Sequence, residues 1–280
     1  MNKLLAIFEL MRLNKPIGIY LLLWPALLAL VISTNGDFMY SHLLIIIIGS
    51  ILVRSAGCVI NDIWDKDLDG GVKRTKTRPI PSKKLSISES WAVFVALGAL
   101  SLVLLSLTNT NTIFISICFG FMIVLYPLTK RFFIGPQIFL GLTFNPTIIV
   151  YAMTNELNNP TMVFLYLAVA AKTIAFDSFY GLCDIEDDKK LGIHSTPLWW
   201  GSKTLLIIAI LQFAVISFLM VVGFKAELSS AWYIGIILLS SFYFYQHRLA
   251  SQKNFLLAFK NNHWASLYLL FLSVFCFLII

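Results

Sequence analysis

The chain has 280 residues, 59% of them hydrophobic and only 12% charged, with a net charge of +7 and a mean hydropathy of +0.84. Soluble domains carry about 25% charged residues, so a water-facing globule of this size is excluded and the main solvent must be lipid. The excess of Lys and Arg then reads as cytoplasmic-loop charge on a bilayer protein rather than as a nucleic-acid surface.

In chain order, the first feature is an apolar run preceded by Lys3, Arg12 and Lys15. Its flanks resemble a signal sequence, but no small-residue cleavage site follows, so it reads as a retained first helix. Nine apolar segments can be marked, 16–33, 42–60, 91–108, 112–128, 136–154, 161–180, 203–223, 231–246 and 263–280. Each approaches the roughly 20 residues that a helix needs to cross the hydrocarbon. Break signals separate them at Asn35-Gly36-Asp37, Asn109 to Asn111, Gly135-Pro136 and Asn158-Asn159-Pro160.

Basic residues fall in alternate loops: the N-terminus, 62–90, Lys130 and Arg131, Lys189 to Lys203, and Arg248 to Lys260. The other loops contain only Lys225. The expected architecture is therefore all-α, with nine transmembrane helices, the N-terminus cytoplasmic and the C-terminus outside. Trp24, Trp91, Trp199, Trp200, Trp232 and Trp264 lie near span ends and are expected to anchor at the interfaces. Spans one to four and five to eight form a faint repeat within a single 1–280 domain, with the ninth span appended. Each half runs into an acidic cluster, then basic residues, then Thr77-Arg78-Pro79 or Ser195-Thr196-Pro197. That symmetry predicts that both clusters face one central cavity. The cysteines Cys58, Cys118, Cys183 and Cys276 form no CxxC pair, which argues against a disulfide framework or a zinc site.

Nine of the fourteen acidic residues sit in those two clusters. In the first, from Asn61 to Asp69, a 100° turn per residue sets Asp62, Asp65 and Asp69 within roughly 60°, with Asn61 at the rim and Asp67 pointing away. In the second, Asp177, Asp184 and Asp188 fall within roughly 40° if the helix continues past Gly181, and Glu186 and Asp187 lie between. Like charges at i, i+4 repel, so folding alone does not reward this spacing. A divalent cation does, and carboxylates suit Mg²⁺, which binds a few protein oxygens together with substrate phosphates. The plainer alternative is a pair of solvated acidic loops. A cation transporter would bury its acids mid-span rather than at span ends.

Basic residues follow each cluster. Arg74, Arg78, Lys130 and Arg131 satisfy the positive-inside rule and would also suit a diphosphate. Arg54 is different, because it lies inside the second span, where charge is costly. It precedes Asp65 by eleven residues, hence the same helical face about 16 Å deeper. Snorkelling to the interface explains Lys172 better than it explains Arg54. Cys183, beside Asp184, reads as a small filler.

At these residues the chain resembles the UbiA superfamily of intramembrane prenyltransferases. Asn61-Asp62-x-x-Asp65-x-x-x-Asp69, then Arg74 and Thr77-Arg78-Pro79-Ile80-Pro81-Ser82, is similar to its first signature. Asp177-x-x-Tyr180 with Asp184-x-x-Asp187-Asp188, then Gly192-Ile193-His194-Ser195-Thr196, is similar to its second. Arg12-Leu13-Asn14-Lys15-Pro16-Ile17-Gly18 and Tyr126-Pro127-Leu128-Thr129-Lys130-Arg131 add to the likeness. Asn14, Lys83, Asn145-Pro146, Phe176 and Gly181 depart from the usual pattern, and none of these removes an aspartate. Arg54-Ser55-Ala56-Gly57-Cys58 leading into Asn61-Asp62 most resembles the 4-hydroxybenzoate polyprenyltransferases of ubiquinone synthesis.

The resemblance implies nine helices around a central cavity, with both aspartate motifs at its cytoplasmic mouth. It also implies transfer of a polyprenyl group from a polyprenyl diphosphate to an aromatic acid; the lack of an Arg/Ser-rich presequence favours a bacterial inner membrane over a mitochondrial one. On that reading Asp65, Asp69, Asp184 and Asp188 are catalytic, and Asn61, Asp62, Asp65, Asp69, Asp184, Asp187 and Asp188 are candidate Mg²⁺ ligands. Arg54, Asn61, Arg74, Arg78, Lys130, Arg131 and Tyr180 are candidate substrate contacts, with Arg54 facing the acceptor carboxylate. Haem o, menaquinone or tocopherol-type relatives share both motifs. A phosphatidyl-alcohol transferase would need a D-x-x-D-G-x-x-A-R pattern that the sequence lacks.

Overall fold

Apolar runs of this length in lipid have one economical solution, the helix, which satisfies every backbone donor and acceptor within the segment. The computed structural model describes residues 3–71 and 75–278, and every regular element among them is helical. A short surface helix, α1 (Lys3–Leu10), precedes α2 (Ile17–Ser33) and α3 (Tyr40–Trp64). After one turn, α4 (Lys66–Asp69), come α5 (Ile87–Leu105) and α6 (Thr110–Thr129). Two half-length helices follow, α7 (Pro136–Thr143) and α8 (Thr147–Met153), then the long α9 (Thr161–Leu191). The chain closes with α10 (Thr196–Trp200), α11 (Thr204–Lys225), α12 (Ser230–Ser251) and α13 (Phe255–Leu278).

Every predicted span overlaps a helix or a pair of helices. Six are long and apolar enough to cross a membrane by length and composition: α3, α5, α6, α9, the α10–α11 unit and α13. At 17 residues, α2 is a shorter apolar helix. α12 carries Gln246, His247 and Arg248 near its end and is not among the six. The span expected over 136–154 is broken. Phe144, Asn145 and Pro146 interrupt it, because Pro146 cannot donate to the preceding turn. The freed groups are satisfied by α9 and by the break itself. Tyr166 donates its hydroxyl to the Leu142 carbonyl (2.8 Å), Asn145 donates to the Tyr166 carbonyl (2.9 Å), and the Asn145 side chain accepts from the Thr147 N–H (3.2 Å). Irregular backbone at membrane depth is tolerated when it is buried in protein in this way.

Local signals set the other ends. Ser86 and Glu89 form a capping box at the start of α5. Asn109 caps α6 through the Thr112 N–H (2.9 Å), and its amide donates to the Ala152 carbonyl (2.7 Å), tying α6 to the end of α8. Gly192, at φ +66°, stops α9.

The helices pack in a closed circuit in which α2 adjoins α3, α3 adjoins α6, α6 adjoins α7 and α8, and α9, α11, α12 and α13 lead back to α2. α5 lies against the flank of α3. Lipid offers no hydrophobic drive between helices, so small residues and polar contacts must hold them. A Cβ at Gly141 would lie 2.5 Å from Ile174 Cγ1 and 2.8 Å from the Ala170 carbonyl, which is how closely α7 approaches α9. A chain of amides, Gln212 to Gln246 (2.8 Å) to Asn261 (3.0 Å), crosses α11, α12 and α13, and His247 joins it at Gln212 (2.9 Å). The outward surface is apolar, as lipid demands: Phe114, Phe213, Phe244 and Phe271 are all exposed.

Two sequence expectations are corrected. Trp232 is not an interfacial anchor. It is fully buried between α11 and α12, where its indole donates to the Leu219 carbonyl (2.9 Å). Lys172 does not snorkel. It is buried midway along α9 and donates to Ser266 Oγ and to the Asn262 carbonyl on α13.

Candidate active site

The first acidic cluster sits where α3 ends. Asp65 leaves helical geometry (φ −90°, ψ 7°), yet its N–H still reaches the Asn61 carbonyl (2.9 Å), and the Asp69 N–H reaches the Asp65 carbonyl (2.8 Å). The helical register therefore survives the kink. Asp62, Asp65 and Asp69 are buried, at 1%, 4% and 5% exposure, while Asp67 faces solvent. Three buried carboxylates on one face require compensating charge.

The compensation comes from distant parts of the chain. Arg12 Nη2 donates to both oxygens of Asp62 (2.8 and 2.7 Å). Arg78 Nη1 bridges Asp62 Oδ1 (3.1 Å) and Asp69 Oδ2 (2.7 Å). Lys130 Nζ donates to Asp65 Oδ2 (2.8 Å), and the Asn61 amide donates to the same oxygen (3.2 Å). Burial pushes the Asp69 carboxyl above the ordinary carboxylate range, and Arg78 offsets this only in part. Burial acts to lower the Lys130 ammonium, but the charge and hydrogen bond of Asp65 outweigh it, so Lys130 ends above the usual lysine value.

Arg131 is engaged elsewhere: it is exposed and donates to the Trp64 carbonyl at the end of α3 (2.7 Å). Arg74 lies outside the described residues. Arg12 is the site residue that sequence spacing did not single out. A cation before a first span has a ready explanation in membrane topology, which hides its second use.

The second cluster lies on the last turns of α9, which does run unbroken past Gly181, with Asp177, Asp184, Asp187 and Asp188 half-buried. Its basic neighbours Lys189 and Lys190 are exposed. The structure brings the two clusters to one end of the bundle. A Cβ on Gly71, just past α4, would lie 3.3 Å from the side chain of Leu191, the last residue of α9. The His194 N–H, beyond α9, donates to the Lys130 carbonyl (2.9 Å). Tyr180 packs against Phe259 of α13, ring centroids 4.8 Å apart.

Arg54 lies deeper on α3. Its Nε is buried without a hydrogen-bond partner, and its guanidinium sits 5.3 Å from the centre of the Phe144 ring, at the α7–α8 break. Gly18 on α2 makes the space: a Cβ there would stand 2.4 Å from Arg54 Nε. A buried guanidinium nitrogen without an acceptor is costly unless an anion completes it.

Among the described residues, no three His, Cys, Asp or Glu side chains converge closely enough in this packing to form a metal-binding group. The donor chemistry nevertheless fits Mg²⁺. The carboxylates are hard oxygen ligands at the mouth of the bundle, and Asp65 Oδ1 is buried with no hydrogen-bond partner, an acceptor that the protein itself leaves unused. Asp62 fits less well, since Arg12 and Arg78 take both of its oxygens.

An all-helical membrane bundle with carboxylates, guanidinium groups and an ammonium at one mouth, and a further guanidinium below, is built to hold an anionic substrate head at the bilayer surface. The UbiA prenyltransferase family model matches residues 22–275, and the chain belongs to that family. It is 40% identical over 265 residues to the 4-hydroxybenzoate octaprenyltransferase of Pseudomonas aeruginosa (strain LESB58), covering 92% of this chain and 89% of that one. The enzyme of the same name from Vibrio campbellii is 39% identical over 272 residues, covering 95% of each. The one from Francisella tularensis subsp. novicida is 37% identical over 281 residues, covering 98% of this chain and 99% of that one. The fold matches the apo structure of a UbiA homolog from Aeropyrum pernix K1, with a TM-score of 0.80 and 21% identity over 90% of this chain and 94% of that one. It also matches a UbiA homolog from Archaeoglobus fulgidus bound to GPP and Mg²⁺, with a TM-score of 0.75 and 17% identity over 98% and 100%. The chain is thus a membrane prenyltransferase.

Proposed function

We propose that this prenyltransferase moves a polyprenyl group from a polyprenyl diphosphate onto 4-hydroxybenzoate, in a bacterial inner membrane. The observation that carries the acceptor assignment is the identity of 37–40%, over nearly the whole chain, to enzymes named for that substrate. Half-buried Arg54 below the mouth, whose Nε is buried with no hydrogen-bond partner, supports it, because an aromatic acid presents the carboxylate that such a group needs.

In this reading the diphosphate head sits at the mouth between the two aspartate clusters. Arg78 and Lys130 neutralise charge that builds on the diphosphate oxygens as the allylic C–O bond breaks and its electron pair leaves with the diphosphate. Asp65 and Asp69 with Asn61, and Asp184 and Asp188 with Asp187, would hold Mg²⁺, which adds electrophilic stabilisation of the leaving group when bound. The polyprenyl tail lies among apolar helices, where water cannot intercept the allylic carbon. Arg54 holds the acceptor carboxylate so that the ring carbon ortho to the hydroxyl faces that carbon. A C–C bond forms there, the ring proton is lost, and the products are the prenylated acid, diphosphate and a proton. Nine crossings with the N-terminus inside would set the mouth on the cytoplasmic side, where the soluble acid is found.

The test is Mg²⁺-dependent transfer from geranyl or longer diphosphates by purified protein in lipid. 4-Hydroxybenzoate should be prenylated in preference to homogentisate or dihydroxynaphthoate. Asp65→Ala and Asp184→Ala should each lower turnover by about 10³-fold or more, with normal insertion. Preference for another acceptor would overturn the substrate assignment. Near-normal turnover in either variant at saturating Mg²⁺ would overturn the site.

A further inference from the structure

Arg12 reaches the mouth from outside the bundle. Helix α1 lies against the end of α3, with Ala6 and Leu10 packed into the cluster that holds Val59, Ile63, Ile80 and Leu85, while Leu4, Leu5 and Phe8 face outward. Ion pairs from Lys3 to Glu89 (2.5 Å) and from Lys84 to Glu9 (2.9 Å) pin it. After Leu10 the chain turns sharply, and Arg12 adopts a left-handed backbone at φ 58°, uncommon for a residue with a side chain. Its guanidinium does two things from there. Nη1 donates to the Glu9 carbonyl at the end of α1 (2.9 Å), and Nη2 takes both oxygens of Asp62.

Asp62 thus stands between two arginines that hold it unequally. Its Oδ2 receives Arg12 alone, while Oδ1 is shared with Arg78 at 3.1 Å. The shorter bond of Arg78, 2.7 Å, goes outward to Asp69. Charges alternate from Arg12 through Asp62 and Arg78 to Asp69. Remove Arg12 and a carboxylate only 1% exposed keeps, among the described residues, Arg78 as its cationic partner. A buried charge so stripped draws the remaining cation to itself.

We infer that Arg12 is a positioning residue: by holding Asp62 it keeps Arg78 turned toward Asp69 and the diphosphate, and Asp62 serves to orient Arg78 rather than to bind metal. This rests on the mouth being the diphosphate site. The helix before the first span then belongs to the binding machinery as well as to the membrane surface.

The experiment compares Arg12→Asn, Asp62→Asn, the double variant and Arg12→Lys, all as full-length protein in lipid. Asn is chosen at position 12 because it tolerates the left-handed backbone. Two readouts are used: binding of geranyl thiolodiphosphate, an analogue that does not ionise, and the separate KM and kcat values for transfer. Arg12→Asn should weaken analogue binding, raise the prenyl diphosphate KM about tenfold and lower kcat as well, leaving the aromatic-acid KM within about twofold. Adding Asp62→Asn removes the stranded charge and should restore binding to within about threefold of wild type. Arg12→Lys keeps the charge without the two-pronged grip and should fall between.

Losses that multiply in the double variant, or a folded Arg12→Asn protein with unchanged analogue affinity, would overturn the inference. If Arg12→Asn cannot be recovered from membranes, the double variant and Arg12→Lys decide by the same criteria. Wild-type protein that binds the analogue but prenylates no acceptor would instead count against the proposed function, leaving the Arg12 comparison readable through binding.

Discussion

Arg54 shows how one side chain can be both the costliest group in a helix and the most informative. A guanidinium inside a span is retained when something in the bundle answers it. Here Phe144 supplies a ring face and Gly18 supplies room, yet Nε has no acceptor. An aromatic carboxylate would complete it. Arg54→Ala should therefore raise the KM for 4-hydroxybenzoate about 10- to 100-fold, the worth of a charge-assisted hydrogen bond, with the polyprenyl diphosphate KM little changed. Arg54→Lys should recover little of this, because a point charge on a flexible stem does not reproduce the planar fork. Steady-state kinetics with each substrate varied in turn will show whether the effect divides this way.

At the scale of elements, what could be read in advance depended on the range of the cause. The three-turn persistence of α9 past Gly181, and the burial of Asp62, Asp65 and Asp69 with Asp67 outside, follow from helical periodicity, which is local. The six long apolar helices follow from composition. The break between α7 and α8 carries a local signal, Asn145-Pro146, but whether proline kinks or splits a span depends on what receives the freed groups, and Tyr166 lies 20 residues beyond Pro146. Trp232 and Lys172 misled for the same reason: their partners are on neighbouring helices, and composition cannot distinguish an anchor at the interface from a donor aimed inward. Arg12 stood in the sequence as topology charge and as part of a motif, but its pairing with Asp62, 50 residues on, carries no local signal.

The α7–α9 contact offers an elemental test. Gly141→Val must displace Ile174 or the Ala170 carbonyl, and the carbonyl belongs to helix backbone that cannot yield cheaply. Overpacking of this kind costs about 1–3 kcal/mol. The midpoint of thermal unfolding in detergent should drop, while the 4-hydroxybenzoate KM of the folded fraction should change less than in Arg54→Ala.

For the molecule as a whole, the buried lysine of α9 has a consequence for how the protein is made. Lys172 meets Asn262 and Ser266, 90 and 94 residues later in the chain. When α9 leaves the ribosome, α13 has not yet been synthesised, so the ammonium enters the insertion machinery with no acceptor waiting for it. A lysine at the centre of a helix costs about 2.5–3.5 kcal/mol on insertion. This helix should therefore settle only when the last one arrives, and biogenesis should finish in a late, concerted step. A chain stopped after residue 254 should leave α9 open to protease or degraded by membrane quality control, and Lys172→Met in that shortened chain should restore its integration. Equal protection of α9 in the shortened chain with lysine or methionine would refute this order of assembly.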